Sequence, residues 1–220
     1  MLNGKNSPAF MENDPRLVPS AITLWGDDAL REICREQIEL NFGLWGTGQL
    51  SSEFKMFLFN FTQGKLYLNN VLARLDNTSP KCTFCELMAK RELEERGIGE
   101  NAPEYAYYIS LLPNESTGHL FWDCDHSQVV IQRVYRWIRG MDWYRGLETV
   151  QKNGFMMGTY SNLNKQLSKV DLVWKHFIKY FIYRCRISRK LPMFPSLKFE
   201  LEGMHKMRNL IIQINNLYLL

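Results

Sequence analysis

The 220-residue sequence predicts a mostly helical fold with little or no sheet. Apolar residues recur three and four positions apart in several segments, which is the spacing of one buried face of a helix. No run alternates apolar and polar residues for long enough to form a central sheet. Hydrophobic residues make up 45% of the chain and charged residues 23%, ordinary values for a globular protein that can bury a core.

The N-terminal part of the chain divides into an arm and a first helix. Residues 1–24 are predicted to form an extended arm, because they contain Pro8, Pro15 and Pro19 and show no sustained periodicity. A helix is expected over residues 28–42, where an aspartate can cap the N-terminus and apolar residues follow at helical spacing.

Two more helices are expected before the first cysteine pair. Ser51 or Ser52 is predicted to cap the first, and Gly64 to end it. The second is expected over residues 66–75. The apolar residues that define the first of these helices are Phe54, Phe57, Leu58 and Phe61.

The rest of the chain is predicted to contain four further helices. A charged helix is expected over residues 86–96, and an aromatic-rich loop or short strand over 103–114. A helix capped by Ser127 is expected to end at Gly140. Two final helices are expected over residues 168–189 and 196–212.

Four residues of the type that binds metals occur as two pairs, Cys82-x2-Cys85 and His119-x4-Cys124. Thiolates and imidazoles are the ligands of structural, tetrahedral Zn²⁺ sites, in which four protein ligands leave no position for water or substrate. The sequence therefore predicts one structural zinc ion and no enzymatic activity. Two alternatives stay open: the pairs are unrelated and one consists of buried thiols, or His126 replaces Cys124 as a ligand.

Charge is distributed unevenly along the chain. Residues 1–124 contain 11 basic and 17 acidic side chains, a net charge of −6, whereas residues 125–220 contain 16 and 6, a net charge of +10. Such an asymmetry favours a polyanionic partner for the basic part, although a solvated basic surface is the simpler alternative. The predicted nucleic-acid contacts are Arg133, Arg136, Arg139, Arg145, Lys175, Lys179, Arg184, Arg186, Arg189 and Lys190.

Aromatic residues accompany the basic ones, which is typical of proteins that bind single-stranded nucleic acids by stacking. Tyr180 and Tyr183 are the better stacking candidates, whereas Trp174 and Phe177 are more often core residues at this spacing. We therefore expect RNA or DNA as the partner, with single strands favoured, and no small-molecule substrate.

Cysteine usage and hydropathy bear on the cellular compartment. The five cysteines are an odd number, and no apolar signal segment opens the chain, so a reducing intracellular compartment is expected: nucleus, cytoplasm or organelle matrix. The most apolar stretch, residues 170–183, is interrupted by charges and is shorter than the ~20 apolar residues that a bilayer requires. No membrane association is expected.

The region from Phe54 to Cys124 resembles the CCHC zinc-binding region that follows the polymerase domain in LINE-type (non-LTR) retrotransposon reverse transcriptases. The resemblance lies in the phrases G-K-L-Y-L-N-N, S-P-K-C-T-F-C and E-S-T-G-H-L-F-W-D-C, and extends more weakly to about Met207. The resemblance implies that zinc is bound by Cys82, Cys85, His119 and Cys124. It also implies that the region helps to bind RNA or target DNA. The chain departs from the family in its long segment between the pairs and in lacking a polymerase.

Two functional hypotheses follow. In the first, the protein is a non-catalytic, zinc-stabilised nucleic-acid-binding domain derived from the C-terminal part of such a reverse transcriptase. In the second, it is an exapted structural subunit of a larger ribonucleoprotein, such as an organellar ribosome. The expected organisation is an arm over residues 1–24, a helical zinc-knuckle domain over 25–140 and a basic helical region over 141–220.

Overall fold

The computed structural model of the protein describes residues 50–76, 78–141, 152–157 and 165–204. Regular secondary structure in these ranges is helical, apart from a single antiparallel bridge between Lys81 and Asn114. The predicted mostly helical fold is therefore confirmed for this part of the chain. The predicted arm and the first predicted helix, residues 1–24 and 28–42, lie outside the described residues.

The described ranges contain eight helices and one π-helical turn. The turn, His119–Asp123, directly precedes the fifth helix. None of these helices combines the length and the hydropathy that crossing a bilayer requires. In chain order the helices are α1 (Ser52–Thr62), α2 (Asn69–Asp76), α3 (Thr83–Glu95), α4 (Pro103–Leu111), α5 (Asp125–Arg139), α6 (Lys152–Met157), α7 (Lys165–Ile187) and α8 (residues 194–204).

The chain forms two compact units. Among the described helices, the first unit contains α1, α6 and the part of α7 up to His176. The second contains α2 to α5, the part of α7 from Phe177 onwards, and α8. Residues from both sides of the predicted boundary at residue 140 thus occur in each unit.

Helix α1 begins and ends as its sequence predicts. The Ser51 hydroxyl accepts a hydrogen bond of 3.2 Å from the Phe54 N–H, which is an N-cap. At the other end Gly64 has φ of 64°, and the Lys65 N–H donates to the Asn60 carbonyl at 2.7 Å, as in a Schellman motif. The four apolar residues of the predicted face are buried: Phe54, Phe57, Leu58 and Phe61.

Helix α5 provides the central apolar face of the second unit. The helix begins at Asp125, two residues before the predicted cap, and Ser127 instead lies buried with its hydroxyl donating to the Leu120 carbonyl at 2.6 Å. Trp137 of α5 is only half-buried and packs edge-on against Phe194 of α8. The buried residues of α5 are Ser127, Val130, Ile131, Val134, Tyr135 and Ile138.

The predicted loop or short strand over residues 103–114 is wrong, because residues 103–111 form helix α4. None of its residues is buried, so its sequence carries no periodic apolar face to reveal the helix. Pro103 suits the first turn, where its missing N–H has no helical partner. At the C-terminal end, the Lys81 ammonium donates to the carbonyls of Ser110 and Leu112, both at 2.7 Å, which stabilises the negative end of the helix dipole.

Other helix boundaries differ from the prediction by a few residues. Helix α3 begins at Thr83 rather than at residue 86, and α7 covers Lys165–Ile187 rather than residues 168–189. Helix α8 begins at residue 194, since Pro195 fits within a first helical turn. Its predicted end at residue 212 lies outside the described residues.

Candidate metal centre

The two predicted ligand pairs lie together in the second unit. The ligand atoms of Cys82, Cys85, His119 and Cys124 are all within 4.8 Å of one another. The Cys124 Sγ lies 3.9 Å from each of the Cys82 and Cys85 sulfurs, and the Cys85 Sγ lies 3.5 Å from the His119 Nε2. These cysteines are not joined by disulfides. The four side chains therefore form a cluster that can hold a metal ion.

Two of the three thiols occupy the same position relative to a helix. Cys82 is the N-cap residue of α3, and Cys124 is the N-cap residue of α5. Cys85 lies in the first turn of α3, so it faces the same helix end as Cys82. The positive end of a helix dipole favours a thiolate over a thiol. The local structure thus favours the negative charge that a metal ligand needs.

A π-helical turn explains the spacing of the second pair. The Cys124 N–H donates to the His119 carbonyl at 2.8 Å, a bond between residues five apart. In an α-helix, residues five apart point about 140° away from each other. The wider π-turn directs the side chains of His119 and Cys124 toward the same side of the turn, so both reach the cluster. The turn also places Leu120 and Phe121 in the interior, where neither has exposed surface.

Hydrogen bonds among the thiols shift their acidities in opposite directions. The thiols of Cys82 and Cys85 donate to the Cys124 sulfur, which holds the pKa of Cys124 well below its usual range. Each of these two thiols donates its own hydrogen bond to Cys124, and that bond is the main cause of its raised pKa. The pKa of Cys85 is raised to about 12. A bound cation would favour the thiolate form of all three groups.

A buried carboxylate beside the cluster was missed by the sequence analysis. Glu115 has no exposed surface and accepts hydrogen bonds from the N–H and hydroxyl of Thr83, at 3.0 and 2.9 Å. It also accepts from the Asn69 N–H and from the Arg186 Nε, both at 2.9 Å. Its only signal in the sequence is its place in the E-S-T-G-H phrase, which assigns it no role.

Three of the predicted nucleic-acid contacts lie on α5. Arg133, Arg136 and Arg139 are exposed, on the side of the helix opposite its buried face. Within the described ranges, none of them forms a hydrogen bond or an ion pair. Arg145 lies outside the described residues. The arginines present a positive surface on the helix that begins at the Cys124 ligand.

Burial excludes three of the predicted contacts on α7 from the surface. Lys175 and Lys179 have no exposed surface, and Arg186 is 9% exposed and ion-paired with Glu115. The residues of α7 from 174 to 186 are mostly buried or half-buried. These three side chains are therefore not available to a strand bound at the protein surface.

The remaining predicted contacts are at least partly accessible. Arg184 is half-exposed, pairs with Glu200 and lies over the ring of Tyr180 at 5.0 Å, so its charge is already partly compensated. Arg189 and Lys190 are exposed, with the Arg189 Nη2 3.8 Å from Glu86. The buried Trp174 confirms that this aromatic is a core residue.

His126, considered as a spare ligand, is half-buried and is not among the four clustered residues. Comparison of the chain with protein-family models, with curated proteins and with solved structures found no match in any of the three. The resemblance to reverse transcriptase zinc-binding regions therefore stays a prediction from the sequence.

Proposed function

We propose that the protein is a non-catalytic nucleic-acid-binding domain whose fold is stabilised by one zinc ion. The observation that carries this proposal is the spacing of the ligand atoms. Zn–S bonds of about 2.3 Å in a tetrahedron put sulfurs about 3.8 Å apart, and a Zn–N bond of about 2.0 to 2.1 Å gives an N–S separation of about 3.6 Å. The corresponding distances in the cluster are 3.9, 3.9 and 3.5 Å.

The donor set favours zinc and a structural role. Three sulfurs and one imidazole suit Zn²⁺ better than Mg²⁺ or Ca²⁺, which prefer oxygen ligands. Four protein ligands would complete the tetrahedron and leave no position at which water could be activated. Free thiols at this site would also require a reducing compartment, in agreement with the intracellular location predicted from the sequence.

The position of α5 connects the metal to nucleic-acid binding. The helix begins directly after Cys124, so a metal ion at the cluster would fix the orientation of the helix that carries Arg133, Arg136 and Arg139. Positive charges three residues apart on a helix repel one another, and bound phosphates would relieve that repulsion. These arginines therefore form the proposed phosphate-binding surface.

Aromatic groups on α5 and α8 favour a single strand. The half-buried ring of Trp137 lies beside Lys198, whose ammonium is 5.5 Å from the ring centre. Phe199, the next residue, is 78% exposed. Exposed rings next to positive charges allow bases to stack while the phosphates are neutralised, the combination used by proteins that bind single strands.

We further propose that the domain derives from the C-terminal part of a LINE-type reverse transcriptase. The support is that the four residues to which the resemblance assigns the ligand role are the four that cluster. The long segment between the pairs, unusual for the family, is accounted for by the bulk of α3 and by α4.

The metal assignment is tested by zinc content. Purified full-length chain should contain one zinc ion, and Cys82→Ser or His119→Ala should lose it together with much of the folding stability, since binding a structural metal contributes folding free energy. Cys185→Ser is the control, because Cys185 lies outside the cluster. Equal zinc in the ligand variants and the control would contradict the assignment.

Nucleic-acid binding is tested with the zinc-loaded full-length chain. Fluorescence anisotropy should show binding to single-stranded RNA or DNA in preference to the corresponding duplex. The affinity should fall steeply with salt, because phosphate contacts release counterions. No binding at low salt, or an affinity that does not respond to salt, would contradict the proposal.

A further inference from the structure

Glu115 links the segment that precedes His119 to the loop that carries Cys82. Glu115 lies four residues before the ligand His119, and its Oε2 accepts two hydrogen bonds from Thr83, the residue that follows the ligand Cys82. In addition, the Glu115 N–H donates to the Pro80 carbonyl at 2.8 Å. One side chain and its backbone thus join two segments that are more than 30 residues apart in the sequence.

The loop that carries Cys82 is held on both sides by the same group of residues. The Asn69 Nδ2 donates to the Lys81 carbonyl at 2.7 Å and to the Thr83 hydroxyl at 3.1 Å. The Cys82 N–H donates to the Pro113 carbonyl at 2.9 Å. The residues directly before and after the ligand are therefore fixed, so the position of the Cys82 sulfur depends on this network.

Arg186 connects the network to the far end of the chain. Its Nε donates to the Glu115 Oε1 at 2.9 Å, and its Nη2 donates to the Asn69 Oδ1 at 2.6 Å. These contacts join α7 to Glu115, which lies 71 positions earlier in the sequence, and to Asn69, which lies 117 positions earlier. The Glu115 carboxylate has no exposed surface, and its ion pair with Arg186 offsets the cost of burying it beside the cluster.

We infer that Glu115 and Arg186 are positioning residues that couple metal binding to the docking of the C-terminal end of α7. The inference rests on the proposed metal function. Docking of Arg186 orders the Cys82 loop before the metal binds, and metal binding in turn orders the loop that receives Arg186. Because such coupling is reciprocal, each event strengthens the other by the same factor.

The coupling is tested by measuring Zn²⁺ affinity in competition with a chromogenic chelator. Glu115→Gln and Arg186→Met should each lower the affinity about 10- to 100-fold, as is typical for groups that orient ligands. The visible spectrum of bound Co²⁺ should remain that of a tetrahedral thiolate site, since no ligand is lost. The double variant should be no weaker than the weaker single variant, because both residues act through one network.

Two variants separate positioning from a general loss of stability. Arg184→Met removes an arginine from the same helix whose ion pair, with Glu200, is not part of this network, and it should leave the Zn²⁺ affinity unchanged. Arg186→Lys keeps the charge but cannot donate to both Glu115 and Asn69 in the fork geometry of a guanidinium. Arg186→Lys should give an intermediate Zn²⁺ affinity, and it replaces Arg186→Met in the test if that variant does not fold.

Hydrogen exchange tests the other direction of the coupling. Chelation of the metal should speed the exchange of amides in the last turns of α7 in the wild-type chain. In zinc-loaded Arg186→Met these amides should already exchange quickly. The inference would be overturned if Glu115→Gln and the Arg186 variant that folds, Arg186→Met or Arg186→Lys, both bound Zn²⁺ as tightly as the wild-type chain. Additive effects in the double variant would also overturn it. If the wild-type chain itself binds no metal, the proposed function fails instead.

Discussion

Cys82 and Cys124 lie at equivalent places, each as the N-cap of a helix, and they meet at one sulfur–sulfur contact. The charge of one thiolate is stabilised there by two helix ends and by thiol donors. A metal ion adds to an arrangement that already favours negative charge. Helices α3 and α5 then fix the positions of Cys82 and Cys124, the residues at which they begin.

Metal binding should release protons in an amount that the thiol acidities determine. The raised pKa values of Cys82 and Cys85 favour their thiol forms at neutral pH, whereas the lowered pKa of Cys124 favours its thiolate. Binding of Zn²⁺ should therefore release about two protons from the thiols. Calorimetric titrations in buffers of different ionisation enthalpy measure this number.

The sign of the pH dependence follows from the same protons. Because they compete with the metal, Zn²⁺ affinity should fall as the pH falls and rise as it increases through neutrality. Cys185→Ser should release the same number of protons as the wild-type chain, since Cys185 is outside the cluster. Release of no protons would show that the cysteines do not bind the metal as thiolates.

Residue spacing predicts well which Cys and His side chains cluster, but it predicts poorly which charged side chains lie at the surface. The pairs Cys82-x2-Cys85 and His119-x4-Cys124 have few uses other than metal binding, so their spacing carries chemical information. A lysine such as Lys179 carries no comparable information, because the same residue type lies on a surface or is buried according to how α7 packs. Only the tertiary structure distinguishes these cases.

At the scale of elements, the helices with a strong apolar period were predictable and those without one were not. Helices α1 and α5 each bury one face and were identified from their spacing. Helix α4 buries no residue and depends on Pro103 at its start and on Lys81 at its end. The contact of Lys81 with the Ser110 carbonyl joins residues 29 positions apart, so the local sequence could not predict it.

The arginine face of α5 should control the salt dependence of nucleic-acid binding. Replacing Arg133, Arg136 and Arg139 together by Ala should reduce the slope of log K against log salt by about 2, since each phosphate contact on a single strand contributes ~0.7. Folding stability should change little, because the three side chains are exposed. Anisotropy titrations at several salt concentrations measure the slope.

The matched control for the arginine face lies in and directly after α3. Arg91 of α3 and Arg96, the C-cap residue that follows this helix, are also exposed, and replacing both by Ala removes positive charge from a different part of the chain. This variant should keep the wild-type slope. A similar loss of slope in both variants would show that net charge, rather than the face of α5, determines binding.

The end of α7 adopts a conformation that its sequence does not favour. Arg189 has φ of 50°, and the Lys190 N–H donates to the Cys185 carbonyl at 2.9 Å, as in a Schellman motif. The left-handed region costs a residue with a Cβ about 1 to 2 kcal/mol, and glycine avoids this cost.

Arg189→Gly should therefore raise the free energy of unfolding by about 1 kcal/mol. The ion pair of the exposed Arg189 side chain with Glu86 is long, at 3.8 Å, so its loss should offset little of this gain. Chemical denaturation measures the change. Arg189→Ala, which keeps a Cβ, is the control and should give no stabilisation; equal stabilisation by both would show that backbone strain is not the cause.

At the scale of the whole molecule, the helix content of the described residues was predictable, whereas the grouping of distant segments into units cannot be read from local spacing. Helical periodicity is local, so it can be read from segments such as α1. The units depend on which distant segments pack together, and the contact of Arg186 with Glu115 places the end of α7 with the metal centre. No spacing rule links two charged residues 71 positions apart.

Because the candidate ligands all lie in the second unit, removal of the metal should affect the two units differently. Chelation should speed amide exchange in α3 and α5, which both begin at cysteines of the cluster. Helix α1 should keep its protection, since it buries four apolar residues in the first unit and contributes no ligand. Exchange measured by mass spectrometry on the full-length chain, with and without chelator, distinguishes the helices. Uniform loss of protection, including α1, would show that the metal stabilises the chain as one cooperative structure.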